Sequence, residues 1–404
     1  MEKTTLMIGM GAILYKSREG RQMIEAQTVS GLKGWKRNFD RIVGYAIASD
    51  QDPPDGWIDA IENGIDEPYF KIIPLPNTYN LSRFSDGFKG VEALMLDEMN
   101  KADYRVFSYG GWLGDPGEIA ASIARKNNIK HAVWLDRVES QVVRSEGSGL
   151  KRIKGMIKGK IIERNEKRAV RNATLSLLHG ATVYRHFEDI AKNPHVAEDI
   201  HYSQSDRIDS EGLEQKLKSC LGGPLKISYV GRADPMKGGK QWVEVLKRLK
   251  GNNIEFDATW YGTGSQISVM EQEARSSGLS EAEVKFPGFV ADREKVKAAY
   301  QQSHIFLFCH LTDESPRNLI ESLHAATPLI GYDDPFARSL VSENQGGLLV
   351  ERGQITGLVD AISSLAADRA RLGKLIERAA QSASRLTYET IFDERSEIIK
   401  RELA

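Results

Sequence analysis

Short apolar runs alternate with helical patterns from one end of this chain to the other, and that rhythm is what most constrains its fold. Leu6 to Leu14, Ile42 to Ala48, Tyr104 to Tyr109, Ala132 to Leu135 and Thr174 to Leu178 read as buried strands. The second half repeats the pattern with Lys226 to Val230, Phe256 to Tyr261, Ile305 to Cys309, Pro328 to Tyr332 and Gly347 to Val350. Apolar strands separated by helices belong to parallel sheets covered on both faces. A chain of 404 residues also exceeds what one core supports. The predicted fold is therefore α/β, with two Rossmann-like, doubly wound parallel-sheet domains. Polar Tyr202 to Ser210, a short helix over Glu211 to Leu221 and the breakers Gly222, Gly223 and Pro224 mark the boundary. The expected organisation is an N-terminal, acceptor-side domain over 1–205, a linker over 206–224 and a C-terminal domain over 225–386. Open parallel sheets bind ligands at the carboxyl ends of their strands, so two facing sheets would enclose the chemistry in a cleft.

Charge and cysteine usage remove several function classes. Lys and Arg number 55 against 56 Asp and Glu, so no global field recruits nucleic acid. Cys220 and Cys309 stand far apart without metal-ligand spacing, which argues against a disulfide scaffold or zinc site and fits a reducing cytoplasm. The opening Leu6 to Leu14 has no small-residue cleavage site and soon meets Lys16, Ser17, Arg18 and Glu19, so it reads as a strand, not a signal core. No apolar run approaches the ~20 residues of a membrane-spanning helix.

One segment nevertheless suggests a surface. Over 151–172, Lys151, Arg152, Lys154, Lys158, Lys160, Arg164, Lys167, Arg168 and Arg171 face only Glu163 and Glu166, and Ile153, Met156, Ile157 and Ile161 share a helical face. Such a helix can lie on an anionic membrane. A charged helix packed by one face on the sheet explains it equally well, and Gly155 and Gly159 weaken the helix. The expected location is cytoplasmic, with peripheral contact at the inner membrane surface through 151–172.

The strongest candidate chemistry lies in the second half. The strand ending at Val230 runs into Gly231, Arg232, Ala233, Asp234, Pro235, Met236, Lys237, Gly238 and Gly239, then into a helix whose Trp242, Val245, Leu246 and Leu249 share one face. Free N–H groups at a helix start favour an anion, and Arg232 and Lys237 can add charge to it. An ordinary turn with solvated cations is the plain alternative. Gly262, Thr263 and Gly264 again follow a strand, where glycine lets backbone approach a ligand. Asp313, Glu314, Ser315, Pro316, Arg317, Asn318, Leu319, Ile320 and Glu321 then lie between a strand and a helix that Pro316 can start. A carboxylate can accept from two vicinal hydroxyls, so Asp313 and Glu321 could hold two sugars, or serve merely as a cap and a solvated helix residue.

From Lys226 to about Glu389 these segments, in order, resemble the retaining glycosyltransferases that share the GT-B fold with bacterial glycogen synthase, including polysaccharide and lipid-linked mannosyl- and glucosyltransferases. The matching pieces are Gly231-Arg232 with Pro235 to Gly238, Gly262-Thr263-Gly264, Val284 to Val290, Asp313 to Glu321, Ala325 to Pro328 and Gly346 to Val350. Leu386 to Glu389 resembles the family's closing segment, which implies a last helix over 387–404 crossing back to the N-terminal domain. The resemblance implies transfer of a hexosyl unit from a nucleotide diphosphate sugar to a glycan or lipid-linked acceptor, with retention and without a metal or other cofactor. It implies that Arg232 and Lys237 hold the diphosphate, that the turn at Gly288 and Phe289 meets the base, and that Glu321 binds ribose. Asp313 occupies the place of the family's first glutamate. Glu314 replaces a small residue or proline, so the hexose contact falls to Asp313 or Glu314. Ser315, Pro316, Arg317 and Asn318 belong to the same binding segment, and Cys309 and His310 stand where proline and serine are usual.

In the first half only the layout is similar. Gly20, after Arg18 and Glu19, falls where relatives carry a glycine-rich loop near the donor phosphates; a plain surface loop fits as well. Asp136, followed by Arg137 and Glu139 after the strand ending at Leu135, is a candidate for contact with the reacting sugar or acceptor, with an interior salt bridge as the rival. Gly9-Met10-Gly11 lacks the third glycine of a dinucleotide fingerprint, at Leu14, and Asp50 lies too far on for its acid. Asp50-Gln51-Asp52 mimics a metal-holding pattern but sits among loop residues. A non-catalytic nucleotide-sugar or polysaccharide-binding protein, or a nucleotide-sugar epimerase, are the remaining alternatives.

Overall fold

The computed structural model describes residues 4–17, 19–54, 56–79, 81–112, 114–145, 150–200, 202–313 and 315–404, with the backbone alone for 81–89, 145 and 150–153. By its internal packing the chain divides into two compact units, Met1–Asp199 with Glu389–Ala404, and Ile200–Tyr388.

The first unit is built on strands β1 (Thr5–Gly9), β2 (Leu14–Lys16), β3 (Gln22–Glu25), β4 (Arg41–Ser49) and β5 (Trp57–Asp59). They are followed by β6 (Phe70–Leu75), β7 (Tyr104–Ser108), β8 (Ala132–Leu135), β9 (Leu175–His179) and β10 (Pro194–Ala197). The sheet order is β10-β9-β8-β7-β1-β4-β2-β3-β5, with β6 also on β4. Its body is parallel, as the apolar runs predict, and β8 and β9 are almost wholly buried. Two corrections apply. The run Leu6 to Leu14 is not one strand: β1 ends at Gly9, and β2 pairs with the far end of β4 at Ala48 and Ser49. Beyond it, β2, β3 and β5 pair antiparallel, so the sheet is mixed at that edge.

The second unit carries β11 (Leu225–Val230), β12 (Phe256–Tyr261), β13 (Val284–Gly288), β14 (Ile305–Phe308), β15 (Leu329–Tyr332) and β16 (Gly347–Val350). All pairs are parallel, in the order β13-β12-β11-β14-β15-β16. Central β14 and β15 are buried along their whole length, whereas edge strand β16 is only half-buried. The helix Gly239–Gly251 buries Trp242, Val245, Leu246 and Leu249 on the sheet, and Trp242 meets Trp260 edge-on at 5.5 Å. Trp260 in turn stacks on Tyr229 at 3.9 Å.

Residues 206–224, expected as a linker, are part of this unit. The helix Ser210–Cys220 is anchored by Lys216, which is 3% exposed and bonds the carbonyls of Tyr300 and Ala325. The last helix, Tyr388–Leu403, docks on the first unit. Its Phe392 meets Trp35 edge-on at 5.1 Å, and a Cβ at Gly34 would lie 2.6 Å from that ring, so only glycine admits it. Buried Arg395 lies over Trp35, Trp134 and Phe392, a desolvated cation on three aromatic faces.

Candidate active site

The strand order of the second sheet reverses at β11, whose neighbours are β12 and β14. Loops leaving the carboxyl ends of two strands at such a point diverge and open a crevice. Those loops are 231–238, after β11, and 309–316, after β14. The sequence candidates Arg232 and Lys237 thus come from one side of the switch point, and Asp313 to Glu321 from the other.

Glycine makes the close approach of these loops possible. Gly238 has φ 68°, and a Cβ there would lie 1.9 Å from the Cys309 carbonyl oxygen. Leu311 N–H then donates to the Met236 carbonyl at 2.8 Å, locking one loop to the other. Gly262, after β12, is equally constrained, since a Cβ would lie 2.0 Å from the Gly231 carbonyl oxygen. Gly231 N–H donates to Tyr261 O, and Ala233 N–H to Thr263 O. Gly264 runs beside the Ala233 backbone, and Gly262 N–H donates to Gly288 O at 2.9 Å. Three of the predicted segments, and the start of the loop that leads to a fourth, are therefore knitted by main-chain contacts.

Arg232 is largely exposed and pairs with Asp234 at 3.3 Å. Lys237 closes the short 3₁₀ turn Pro235–Lys237, with Gly238 starting the following helix. The helix Arg317–His324 begins one residue later than expected, because Pro316 is its extended N-cap and not its first turn. Asn318 Nδ2 donates to Val230 O at 2.6 Å, tying this helix start to the end of β11. Asp313 pairs with Arg352, a residue after β16 that no local pattern marks. Arg317 is exposed, Ser315 and Pro316 are half-buried, and Phe289 is 73% exposed beside Gly288. Glu314 lies outside the described residues.

Beneath the loops lies a polar floor. His310 is buried with Nε2 2.9 Å from Tyr229 Oη, and burial, with the charges of Lys237 and Arg352, lowers its pKa to about 3. His310 Nδ1 and Asn318 Oδ1 are buried without a hydrogen-bond partner among the described residues. Glu321 Oε2 accepts from Tyr300 Oη at 3.0 Å. Neither Tyr300 nor Arg352 carries a local motif; each is linked only through the fold.

The first unit has its own crevice at the carboxyl ends of β1, β7 and β8, a cavity of about 550 Å³ lined by Tyr45, Tyr79, Asp115, Trp134, Asp136 and Glu139 among others. The predicted Asp136 is there, accepting from Trp134 Nε1. Arg137 pairs with Glu139 at 2.6 Å on an exposed rim, so this is no interior salt bridge. Buried Asp115, missed in the sequence, caps the helix Pro116–Lys126 through Glu118 N–H and accepts from Tyr79 Oη; burial raises its pKa. Gly20 is not in this crevice. It lies in the β2–β3 turn, where Gly20 N–H donates to Ser17 O, and the loop that leaves β1 is 10–13 instead. Arg18 lies outside the described residues.

The helix Leu150–Asn172 does not pack by the apolar face noted in the sequence. Its packed face is Gly159, Ile162, Asn165, Glu166, Ala169 and Val170, while Met156, Ile157 and Ile161 are exposed. Gly159 decides this, for a Cβ there would lie 3.0 Å from Ser140 O and 2.6 Å from the Arg144 side chain. Lys154, Lys160, Arg164 and Arg171 are exposed on the outward side and make no ion pair among the described residues. Among the described residues no helix is long and apolar enough to cross a membrane.

Residues 215–382 match the family model described as glycosyl transferases group 1. The chain is similar to a 2-deoxystreptamine N-acetyl-D-glucosaminyltransferase of Niallia circulans, 23% identical over 36% of this chain and 37% of that one. It is also similar to the amylovoran biosynthesis glycosyltransferase AmsK of Erwinia amylovora, 27% identical over 49% of this chain and 48% of that one. The match thus spans less than half the length of each of these relatives. Among solved structures, Anabaena HepE in complex with UDP superposes with a TM-score of 0.67 at 14% identity, covering 98% of this chain and 100% of that one. The match to the glycosyl transferases group 1 model thus falls in the second unit, on a chain with the two-domain α/β fold of the GT-B glycosyltransferases.

Proposed function

We propose that this protein is a retaining hexosyltransferase that uses a nucleotide diphosphate sugar and acts in the synthesis of a surface polysaccharide or glycoconjugate. The observation that carries the reading is the meeting of Arg232 and Lys237 with the Asp313–Glu321 segment at the switch point between β11 and β14. A diphosphate at the start of the helix Gly239–Gly251 would find backbone N–H groups and two cations there. Glu321 suits ribose, and Asp313 or Glu314 the hexose. The amylovoran relative and the UDP complex of HepE support the substrate classes.

In the proposed reaction the bond from the anomeric carbon to the diphosphate oxygen breaks, and its electron pair leaves with the nucleoside diphosphate. The acceptor hydroxyl oxygen forms the new bond on the same face, and its proton passes to the departing phosphate. Arg232 and Lys237 take the charge that develops, which is the role a metal fills in other transferases, so no metal is needed in this scheme. The crevice of the first unit, with its aromatic rings and Asp136, is the proposed acceptor site for a glycan or lipid-linked sugar. The exposed cations and apolar side chains of the helix Leu150–Asn172 are proposed to rest on an anionic inner membrane surface.

The test is a panel of UDP, GDP and ADP sugars, scored by thermal shift and by release of nucleoside diphosphate with and without EDTA. One donor class should stabilise the protein by about 2.7 kcal/mol at 100 times its Kd, with turnover that survives EDTA. A product anomer inverted relative to the donor would remove retention. Saturable binding with no turnover on any glycan acceptor would favour a binding protein, and conversion of the donor sugar without acceptor an epimerase.

A further inference from the structure

The carboxylate assigned to ribose is held from behind. Tyr300, at the end of the helix Arg293–Gln302, is fully buried against Phe306, and its hydroxyl donates to Glu321 Oε2 at 3.0 Å. Buried Lys216 ties the Tyr300 backbone to the end of the helix that carries Glu321. Lys216 Nζ donates to Tyr300 O at 3.2 Å and to Ala325 O at 2.6 Å, and Ala325 is the C-cap of the helix that carries Glu321. Thr327 Oγ1 accepts from the same Nζ at 2.5 Å and donates to Tyr300 O at 2.7 Å. Burial, reinforced by the Glu321 charge, raises the Tyr300 pKa far above its ordinary value, so the phenol keeps its proton and remains a donor.

We infer that Tyr300 is a positioning residue that sets the plane of the Glu321 carboxylate toward the ribose hydroxyls of the donor. This rests on the reading of Glu321 as the ribose ligand. A carboxylate on a half-buried glutamate has several rotamers, and binding through it must otherwise fix one. A hydrogen bond from a rigid, buried phenol removes that freedom before the nucleotide arrives. A tyrosine serving only the core would give the same buried ring, but its hydroxyl would not distinguish one sugar from another.

The discriminating ligands are uridine, guanosine and adenosine diphosphates and their 2′,3′-dideoxy counterparts, titrated calorimetrically against the full chain, Tyr300→Phe and Glu321→Ala. Tyr300→Phe keeps the ring and should melt within a few degrees of the wild type. Its Kd for the preferred ribonucleotide should rise about tenfold, the loss of one hydrogen bond to a charged group, while its Kd for the dideoxy form stays unchanged. On top of Glu321→Ala the same change should add less than about twofold, because coupled residues are not additive. An unchanged ribonucleotide Kd in Tyr300→Phe beside a weakened Glu321→Ala overturns the inference alone, as does an equal loss for ribo and dideoxy ligands. Unchanged affinity in Glu321→Ala, or no binding of any diphosphate to the wild type, overturns the assignment of the donor site and the inference with it.

Discussion

Replacing Arg232 or Lys237 by alanine tests the proposed chemistry most directly, because the structure separates its effect on folding from its effect on rate. The Arg232 side chain is 78% exposed and its pair with Asp234 spans 3.3 Å. Exposed pairs of this kind contribute only about 0.2–1 kcal/mol, so Arg232→Ala should melt close to the wild type. Lys237 supports its turn through the backbone, its N–H donating to Asp234 O at 2.9 Å, and alanine keeps that bond. What each variant loses is a charge facing the departing diphosphate, whose negative charge grows as the anomeric bond breaks. Groups preorganised toward developing charge are worth more in the transition state than with bound substrate, so kcat should fall and KM should change less. Losing one such group lowers the rate by about 10² to 10³, or roughly 2.7–4 kcal/mol. The assay is steady-state release of nucleoside diphosphate, with melting temperature as the folding control, and added magnesium should not restore the rate. A kcat within about threefold of the wild type in both variants would show that the diphosphate binds elsewhere, and the placement of the active site would fall with it.

Asp313→Ala and Arg352→Ala should both lower transfer more than nucleoside diphosphate affinity while leaving the melting temperature nearly unchanged, since the pair they break is over a third exposed; an effect on nucleotide affinity alone would move Asp313 out of the hexose site. Gly238→Ala should destabilise by about 3 kcal/mol and weaken nucleotide binding, because it adds left-handed strain and a clash with the Cys309 carbonyl. Gly278→Ala, at φ 74° with open space around it, should cost about 1 kcal/mol and spare binding, and equal losses in the two would refute the interlocked-loop argument. Reversing Lys154, Lys160, Arg164 and Arg171 should release the protein from anionic vesicles, each cation contributing about 1 kcal/mol, while transfer to a short soluble acceptor survives; equal binding to neutral and anionic vesicles would sink the membrane proposal. Burial lowers His304 to about 4 and His310 to about 3, so below about 6.5 the unfolded chain takes protons that the folded chain refuses. Stability should therefore fall as pH drops from about 6.5 toward 4, by up to about 1.4 kcal/mol per pH unit for each histidine, and His310→Gln should flatten that slope in denaturant titrations at pH 7, 6 and 5.

How much of the fold the sequence disclosed depends on burial. Strands β14 and β15 read directly because a strand covered on both faces must be apolar throughout, as in Ile305–Phe308, and β12 because buried Phe256, Ala258 and Trp260 alternate with half-buried positions. Edge strand β13 contains Lys285 and Pro287 and alternates buried with exposed positions, so it carries no such run. The antiparallel edge of the first sheet escaped for a related reason. β2 and β3 have three and four residues, too few for a period to show, and each buries only one of them, Leu14 and Ile24. The helix Leu150–Asn172 shows a different limit. Its amphipathic pattern was visible, but which side packs is settled by the room Gly159 leaves for Arg144 and Ser140, a contact with a neighbouring helix that periodicity does not encode.

The same distinction explains what was visible of the site. The turns that leave β11 and β12 pass close to neighbouring backbone with positive φ, so they carry glycine at Gly231, Gly238, Gly262 and Gly264. The contacts that require them join distant loops, but the residue type itself shows in the sequence as glycine between a strand and a helix. The partners of Glu321 and Asp313 are not local. Tyr300 precedes Glu321 by 21 positions and meets it because the helices on either side of β14 pack together, while Arg352 follows Asp313 by 39 and meets it because β14, β15 and β16 lie side by side in that order. The first unit lacks even the local part of the code. Its crevice is lined by Tyr45, Tyr79, Asp115 and Trp134 from four separate elements and loops, and an acceptor recognised by rings and carboxylates places no demand on consecutive residues. On the proposed reading the donor segments keep a local pattern and the acceptor crevice does not, which fits a resemblance that is specific from Lys226 onward and reduced to layout before it.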